Sequence, residues 1–320
     1  MAIETALTSL LGISAPVLLA PMAGVSGGKM ASAVTNAGGL GIIGGGYCDR
    51  DWLANQIKEA GNTRVGVGFI TWALERDPDV LDIVIAQQPK AIFLSFGQIG
   101  RFDASVKRAN LPLIAQVQSV EQARIAASEG ADVIVAQGTE AGGHGGQCAT
   151  FPLVPAVVDA VGKIPVVAAG GIADGRGLAA ALMLGASGVL CGTAFVAADE
   201  SLVHPNIKKA AVAGLGDTTE RSSFFDIARG IDWPAQWTIR TLTNEFSQKW
   251  GKDLDGLKRN IKSEQARYAA AREAGDVSTS AVIVGEAVDL VRSQQPAEAI
   301  LSSMVAQAES LLKRRPAFAV

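Results

Sequence analysis

Residues 131–146, ADVIVAQGTEAGGHGG, join two kinds of sequence, and the junction between them decides the fold. The first half, Asp132-Val133-Ile134-Val135-Ala136, is a short apolar run without a 3.6-residue period, which predicts a strand buried on both faces. The second half places Gly138, Gly142, Gly143, Gly145 and Gly146 around His144, one of only two histidines in the chain. Glycine allows a sharp turn and a close approach of backbone to a ligand, which makes Gly138 and Gly143 candidate binding positions. An imidazole trades protons near neutral pH. Here a strand delivers it at its carboxyl end, where parallel α/β folds keep their chemistry.

Similar apolar runs recur on both sides of this stretch, at 16–20, 40–44, 64–70, 91–96, 112–117, 132–137, 164–169 and 188–192. Between them lie alanine-rich amphipathic segments such as 28–37, 51–60, 120–129 and 175–184. Eight strand-then-helix units predict an α/β fold, a closed TIM (β/α)8 barrel with its helices outside. An open doubly wound sheet is the alternative, and the regular strand count favours the barrel.

After Val196 the pattern changes, and residues 201–280 carry more charge together with Trp233, Trp237 and Trp250. Three parts are expected: a barrel over 1–200, a helical insertion or lid over 201–280, and a segment over 281–320 that returns to the barrel. A helix pair completing the outer ring is the other reading of 201–280. Within the last part, VIVGEAVDLV at 282–291 is expected to bring Gly285 back towards the barrel mouth, and 296–314 reads as an amphipathic helix.

Bulk properties narrow the function. Of 320 residues 48% are hydrophobic and 18% charged, enough apolar sequence for a large core. A net charge of -3 provides no basic footprint for nucleic acid or for an anionic membrane surface. The apolar run 10–25 lacks a positive leader and is interrupted by Pro16 and Pro21, so it reads as the first barrel strand rather than a signal peptide. No uninterrupted run of about 18 apolar residues is present to span a bilayer. Cys48, Cys148 and Cys191 form no CxxC pair, which suits a reducing cytoplasm. Neither histidine has a second ligand at metal-binding spacing, so no metal is expected. Composition leaves the oligomeric state open, a homo-oligomer included.

The strand over 164–169 runs into Gly170-Gly171-Ile172-Ala173-Asp174, and the strand over 188–192 runs into Gly192-Thr193. Loops after the last two barrel strands can direct free backbone N–H groups at one phosphate, with Thr193 adding a hydroxyl. Simple turns are the competing reading for each glycine pair. Asp174 fits a helix N-cap better than a ligand, since a carboxylate repels phosphate. In the first unit, Ala20-Pro21-Met22 offers a proline-fixed turn and a soft thioether against which a flat ring could lie.

Five motifs, APMAG at 20–24, NAGGLGIIGGG at 36–46, EAGGHGG at 140–146, AAGGIADGRG at 168–177 and CGTAF at 191–195, occur in an order that resembles the nitronate monooxygenase family, formerly called 2-nitropropane dioxygenases. The resemblance is dense over roughly 13–200 and loose beyond. It lies within an FMN-binding barrel superfamily that also contains flavin-dependent enoyl-acyl-carrier-protein reductases and NADH:quinone reductases.

The resemblance implies FMN across the barrel mouth, its phosphate at Gly170, Gly171, Gly192 and Thr193 and its ring against Ala20, Pro21 and Met22. Gln116 and Gln137 match positions that hold the flavin's polar edge and ribityl chain, although each could equally be a satisfied barrel-mouth amide. His144 matches the family's catalytic histidine. Two departures stand out: Val67-Gly68-Phe69 where many relatives carry Asn, and Gly285-Glu286 where many carry Gly-Gln.

What the resemblance implies for activity is oxidation of alkyl nitronates, and of nitroalkanes, with O2 to carbonyl compounds and nitrite. His144 would take the α-proton of a neutral nitroalkane. The alternative keeps FMN and has NAD(P)H reduce it for a quinone or an enoyl thioester. A flavin-free aldolase of the Schiff-base type would need a lysine at a strand end, and none of the eight carries one. His204 precedes Pro205 and reads as a residue at the start of a helix; Trp72 is a candidate pocket wall, with packing under the lid the favoured role.

Overall fold

The protein is described here by a computed structural model covering residues 3–313. Eight parallel strands form the central sheet: β1 (Val17–Leu19), β2 (Ile42–Gly44), β3 (Gly66–Ile70), β4 (Ile92–Ser95), β5 (Leu113–Val117), β6 (Val133–Gln137), β8 (Val166–Ala169) and β9 (Gly188–Cys191). A second, antiparallel sheet contains β7 (Gly143–Gly145), β10 (Thr219–Ser222) and β11 (Thr238–Leu242).

The large sheet runs β1-β9-β8-β6-β5-β4-β3-β2. Its two edges meet: Leu19 N–H donates to the Leu40 carbonyl (2.9 Å) and Leu40 N–H to that of Val17 (3.0 Å), just before β2. The sheet is therefore a TIM barrel, with its helices outside. All eight expected strands are present. β1 and β8 begin one residue after Pro16 and Pro165, which have no N–H to give to a ladder.

Strand periodicity explains both the core and the mouth. Leu18, Ile42, Phe93, Ile114, Val133, Val135, Val167 and Leu190 share one parity and cluster inside the barrel. Leu7 and Leu11, from the helix Ala6–Leu11, join this cluster. The opposite parity, Val17, Leu19, Ile43, Ile92, Leu94, Leu113 and Ile134 among them, packs against the outer helices. Two residues beyond the last large inward side chain, the same parity gives Ala20, Ser95, Gln116, Gln137, Ala169 and Gly192. The barrel is thus apolar in its body and small or polar at its carboxyl rim.

The eighth outer helix does not follow β9 directly. It is Ala297–Lys313, which packs against Gly175–Met183 and Gly28–Asn36. Contact at Gly175 is so close that a Cβ there would stand 2.4 Å from the Met304 carbonyl oxygen. Arg314, the expected end of this helix, lies outside the described residues.

Between strand and helix sits the insertion, which is not purely helical. It carries β10 and β11 besides the helices Pro205–Ala213, Phe224–Arg229, Glu245–Trp250, Leu254–Arg259 and Ile261–Ala274. Phe224, Phe225, Phe246, Trp250 and Tyr268 give it a core of its own. Its β11 pairs with β7 in a register that sets Ile239 opposite His144. No helix among the described residues is long and apolar enough to cross a membrane.

Candidate active site

The carboxyl rim of the barrel and the insertion enclose a cavity of about 1200 Å³, part of it open to solvent. Ala20, Pro21, Met22, Gln116, Gln137, Gly143, His144, Gly170, Gly171, Gly192 and Thr193 all line it. Gly138 does not. A Cβ at that position would stand 2.0 Å from Thr150 Oγ1, so Gly138 is covered by the start of the next helix.

One wall is made of backbone. Gly170 and Gly171 adopt φ of 101° and 71°, a left-handed pair that a side chain would strain. The N–H groups of Gly170, Gly171, Gly192 and Thr193 have no hydrogen-bond partner among the described residues. Thr193 Oγ1 accepts from Gly285 N–H at 2.9 Å, so its own proton stays available to a ligand. This contact brings 285 back to the rim, as its sequence suggests. Asp174 caps the helix Gly175–Met183, accepting from the N–H groups of Arg176 and Gly177. A free set of donors of this kind fits a phosphate group.

The amides of the rim form a chain. Gln116 Nε2 (3.2 Å) and Gln118 Nε2 (2.9 Å) both donate to Gln137 Oε1, and Gln137 Nε2 donates to the His144 carbonyl (3.0 Å). Trp237 Nε1 in turn donates to Gln118 Oε1 (3.1 Å). Strand β6 therefore holds the backbone of the histidine loop through its last side chain.

The imidazole is held from the other side, by the insertion. His144 is 9% exposed, and its Nε2 lies 2.9 Å from Asp226 Oδ2. Its ring stacks on Trp233, with centroids 3.4 Å apart and planes at 9°. Burial lowers the His144 pKa, and Arg229 and Arg221 push the same way, against Asp226, which raises it. The balance favours the neutral ring, the form able to take a proton.

Phe96 meets this stack edge-on, 6.3 Å from His144 and 5.1 Å from Trp233, and holds an unusual left-handed backbone with φ of 63°. Tyr47 accepts from Trp233 Nε1 at 2.9 Å. Trp72 is not in the cavity wall but packs behind Tyr47 and Trp233. Arg229 does line the cavity, with only distant partners: Asp226 Oδ1 at 3.4 Å and the Tyr47 hydroxyl at 3.5 Å.

A half-buried guanidinium fixes the glycine loop. Arg221, on β10, donates to the carbonyls of Thr139, Ala141, Gly143 and Thr238. Burial and the nearby Arg240 bring its pKa down to about 10. Arg240 also donates to the Thr139 carbonyl and pairs with Glu286 at 2.8 Å. Glu286 is thus a half-exposed partner of Arg240. His204 lies apart, capping the helix Pro205–Ala213 through Nδ1.

Asp226, Trp233, Arg221 and Arg229 have no signal in the sequence around His144, because each comes from the insertion. One clue is present: TIRTL at 238–242 is rich in β-branched residues (Thr238, Ile239 and Thr241), a composition that favours a strand able to pair with the histidine loop.

With this geometry in hand, the model of the nitronate monooxygenase family matches residues 4–66 and 61–307. The chain belongs to that family. A nitronate monooxygenase of Paraburkholderia phytofirmans is 31% identical, over 97% of this chain and 96% of that protein. A relative from Rhodococcus jostii, (3aS,4S,5R,7aS)-5-hydroxy-7a-methyl-1-oxo-octahydro-1H-indene-4-carboxyl-CoA dehydrogenase, is 38% identical over 68% of this chain. That match spans 62% of the length of the Rhodococcus protein. Among solved structures, FabK from Thermotoga maritima superposes with a TM-score of 0.84 at 32% identity, covering 97% of this chain and 98% of its own.

Proposed function

We propose that this protein is an FMN-dependent oxidoreductase that oxidises alkyl nitronates, and nitroalkanes, with O2 to carbonyl compounds and nitrite. The observation that carries the reading is a buried imidazole, its pKa lowered by burial, and a set of unpartnered backbone donors lining the same cavity. Family membership supports it.

In this reading the N–H groups of Gly170, Gly171, Gly192 and Thr193 hold the flavin phosphate, and Ala20, Pro21 and Met22 lie against its ring. Gln116 and Gln137 bond its polar edge and ribityl chain, with Gly143 and the more distant Gly138 shaping the loop around it. When bound, FMN would supply the redox chemistry between substrate and dioxygen. The protein does the rest. His144 accepts the α-proton of a neutral nitroalkane, and Arg229 offers positive charge to the resulting anion. The aromatic side chains of Tyr47, Phe96 and Trp233 wall that part of the cavity and reduce the water around the anion.

The likeness to FabK supports a second reading, in which NAD(P)H reduces the flavin for a quinone or an enoyl thioester. Anaerobic mixing separates the two. Flavin bands that change with nitronate and persist with NADH and NADPH support the oxidase reading, and fast bleaching by either nicotinamide replaces it with the reductase. His144→Ala should retain flavin and lose roughly 10²–10⁴-fold in turnover of neutral nitroalkane. Full activity in that variant removes the histidine from the chemistry.

A further inference from the structure

The carboxylate beside His144 has no role in the reading above, and its placement is specific. Asp226 is 4% exposed and sits in the helix Phe224–Arg229, 82 residues along the chain from the histidine. A buried carboxylate is costly unless its oxygens are paired. Both are: Oδ2 lies 2.9 Å from His144 Nε2, and Oδ1 lies 3.4 Å from Arg229 Nη1.

We infer that Asp226 is the positioning residue of His144, holding the neutral ring in the tautomer with its proton on Nε2 and leaving the Nδ1 lone pair as the base that meets substrate. A carboxylate is an acceptor only, so a hydrogen bond to it requires the proton on Nε2. Nδ1 has no hydrogen-bond partner among the described residues and is not among the fully enclosed unpartnered atoms. The Trp233 stack at 3.4 Å opposes a ring flip that would exchange the two nitrogens. When the substrate C–H bond breaks, its electron pair stays with the substrate as the nitronate. The proton joins Nδ1, and Asp226 then faces an imidazolium.

This inference rests on His144 acting as the base, and pH reports on it. The charged groups around the ring are Asp226 and Arg229 on one helix and Arg221 on β10, with the Arg240–Glu286 pair next to the loop. Of those that act on the imidazole, Asp226 alone favours its charged form. Its removal therefore moves the acid limb of the rate profile to lower pH.

The test uses the flavin-loaded protein and Asp226→Asn, which keeps the shape and removes the charge, with Asp226→Glu as the conservative variant. On neutral nitroalkane, Asp226→Asn should lose roughly 10²-fold in kcat, at the low end of what a positioned base contributes, with its acid limb at lower pH. On preformed nitronate, which needs no deprotonation, its turnover should stay within about twofold, and Asp226→Glu should recover part of the loss. Equal loss on both substrates with the acid limb unmoved, or no loss on either, overturns the inference. Nitrogen NMR of the unmodified protein gives a readout that needs no turnover. A neutral His144 protonated at Nε2 supports the assignment, and one protonated at Nδ1 overturns it. If the flavin-loaded protein turns over no nitronate at all, the proposed function fails, and the NMR result alone decides the pairing.

Discussion

The two walls of the cavity are built in different ways. Gln116, Gln137, Ala20 and Gly192 continue the inward parity of barrel strands, and each stands two residues beyond a core side chain such as Ile114 or Val135. Trp233 and Arg229, which line the cavity, and Asp226, which bonds the His144 ring, belong to the insertion, whose strand β11 pairs with the histidine loop. The barrel wall is fixed by the same hydrogen bonds that make the fold. The insertion wall is tied on by the β11–β7 pairing and by side chains: the His144–Asp226 hydrogen bond, a ring stack and the Arg221 guanidinium. His144 stands where the walls meet, its carbonyl held by Gln137 and its ring by Asp226 and Trp233. In the proposed reading the barrel wall holds the cofactor and the insertion wall meets the substrate.

Substitutions can break or sharpen that division. The largest effect is expected at Gly171. Gly171→Val forces a β-branched residue into a φ of 71°, and flavin should be lost on purification, as read from the absorbance of the eluted protein. Retention of full flavin content would detach the glycine turn from cofactor binding.

Arg221→Met comes next. It leaves four carbonyls short of a donor and should lower stability by about 2–4 kcal/mol, measured by chemical denaturation, with flavin affinity and turnover falling together. An effect on only one of the two would place Arg221 within one wall rather than across both.

Trp233→Ala frees the imidazole and should cost roughly tenfold in turnover of neutral nitroalkane with flavin content unchanged, since small misplacements of a reacting group are expensive. Loss of flavin instead would show that the tryptophan belongs to the cofactor wall.

The smallest effect is on stability with pH. The His144 pKa lies below 6.5 in the folded protein, so the unfolded chain takes up this proton more readily. Stability is then full above about pH 6.5 and declines as pH falls towards the folded value. Thermal melts between about pH 7.5 and 5.5, roughly one unit either side of the unperturbed histidine value, should show a shallower decline in His144→Ala than in the unmodified protein.

Legibility in the sequence follows the same division. The barrel strands could be located because a parallel strand covered on both faces must be apolar along its length, and the glycine turns followed from where those strands ended. The Gly170–Gly171 turn was visible for that reason, and the apolar stretch 282–291 marked the return of Gly285. The partners of the imidazole were not. Asp226 reads as one more acidic residue in a helix, and Gly143-His144-Gly145 has no strand propensity of its own until β11 lies beside it. Pairing across 82 residues depends on how the insertion folds around Phe225 and Phe246, which no local pattern encodes. The helical reading of 201–280 leaves out β10 and β11, which are only four and five residues long and carry no alternation that marks them.

The distance along the chain between β9 and the helix Ala297–Lys313 bears on how the protein is made. A nascent chain that has completed all eight barrel strands still lacks the helix that covers Gly175 and Met30. Until that last segment leaves the ribosome, an apolar groove on the barrel's outside stays open to other chains. Contacts this far apart in sequence also slow the search for the native arrangement. The final stave arrives after everything it must seal, which makes the closing segment a point of vulnerability to aggregation during synthesis.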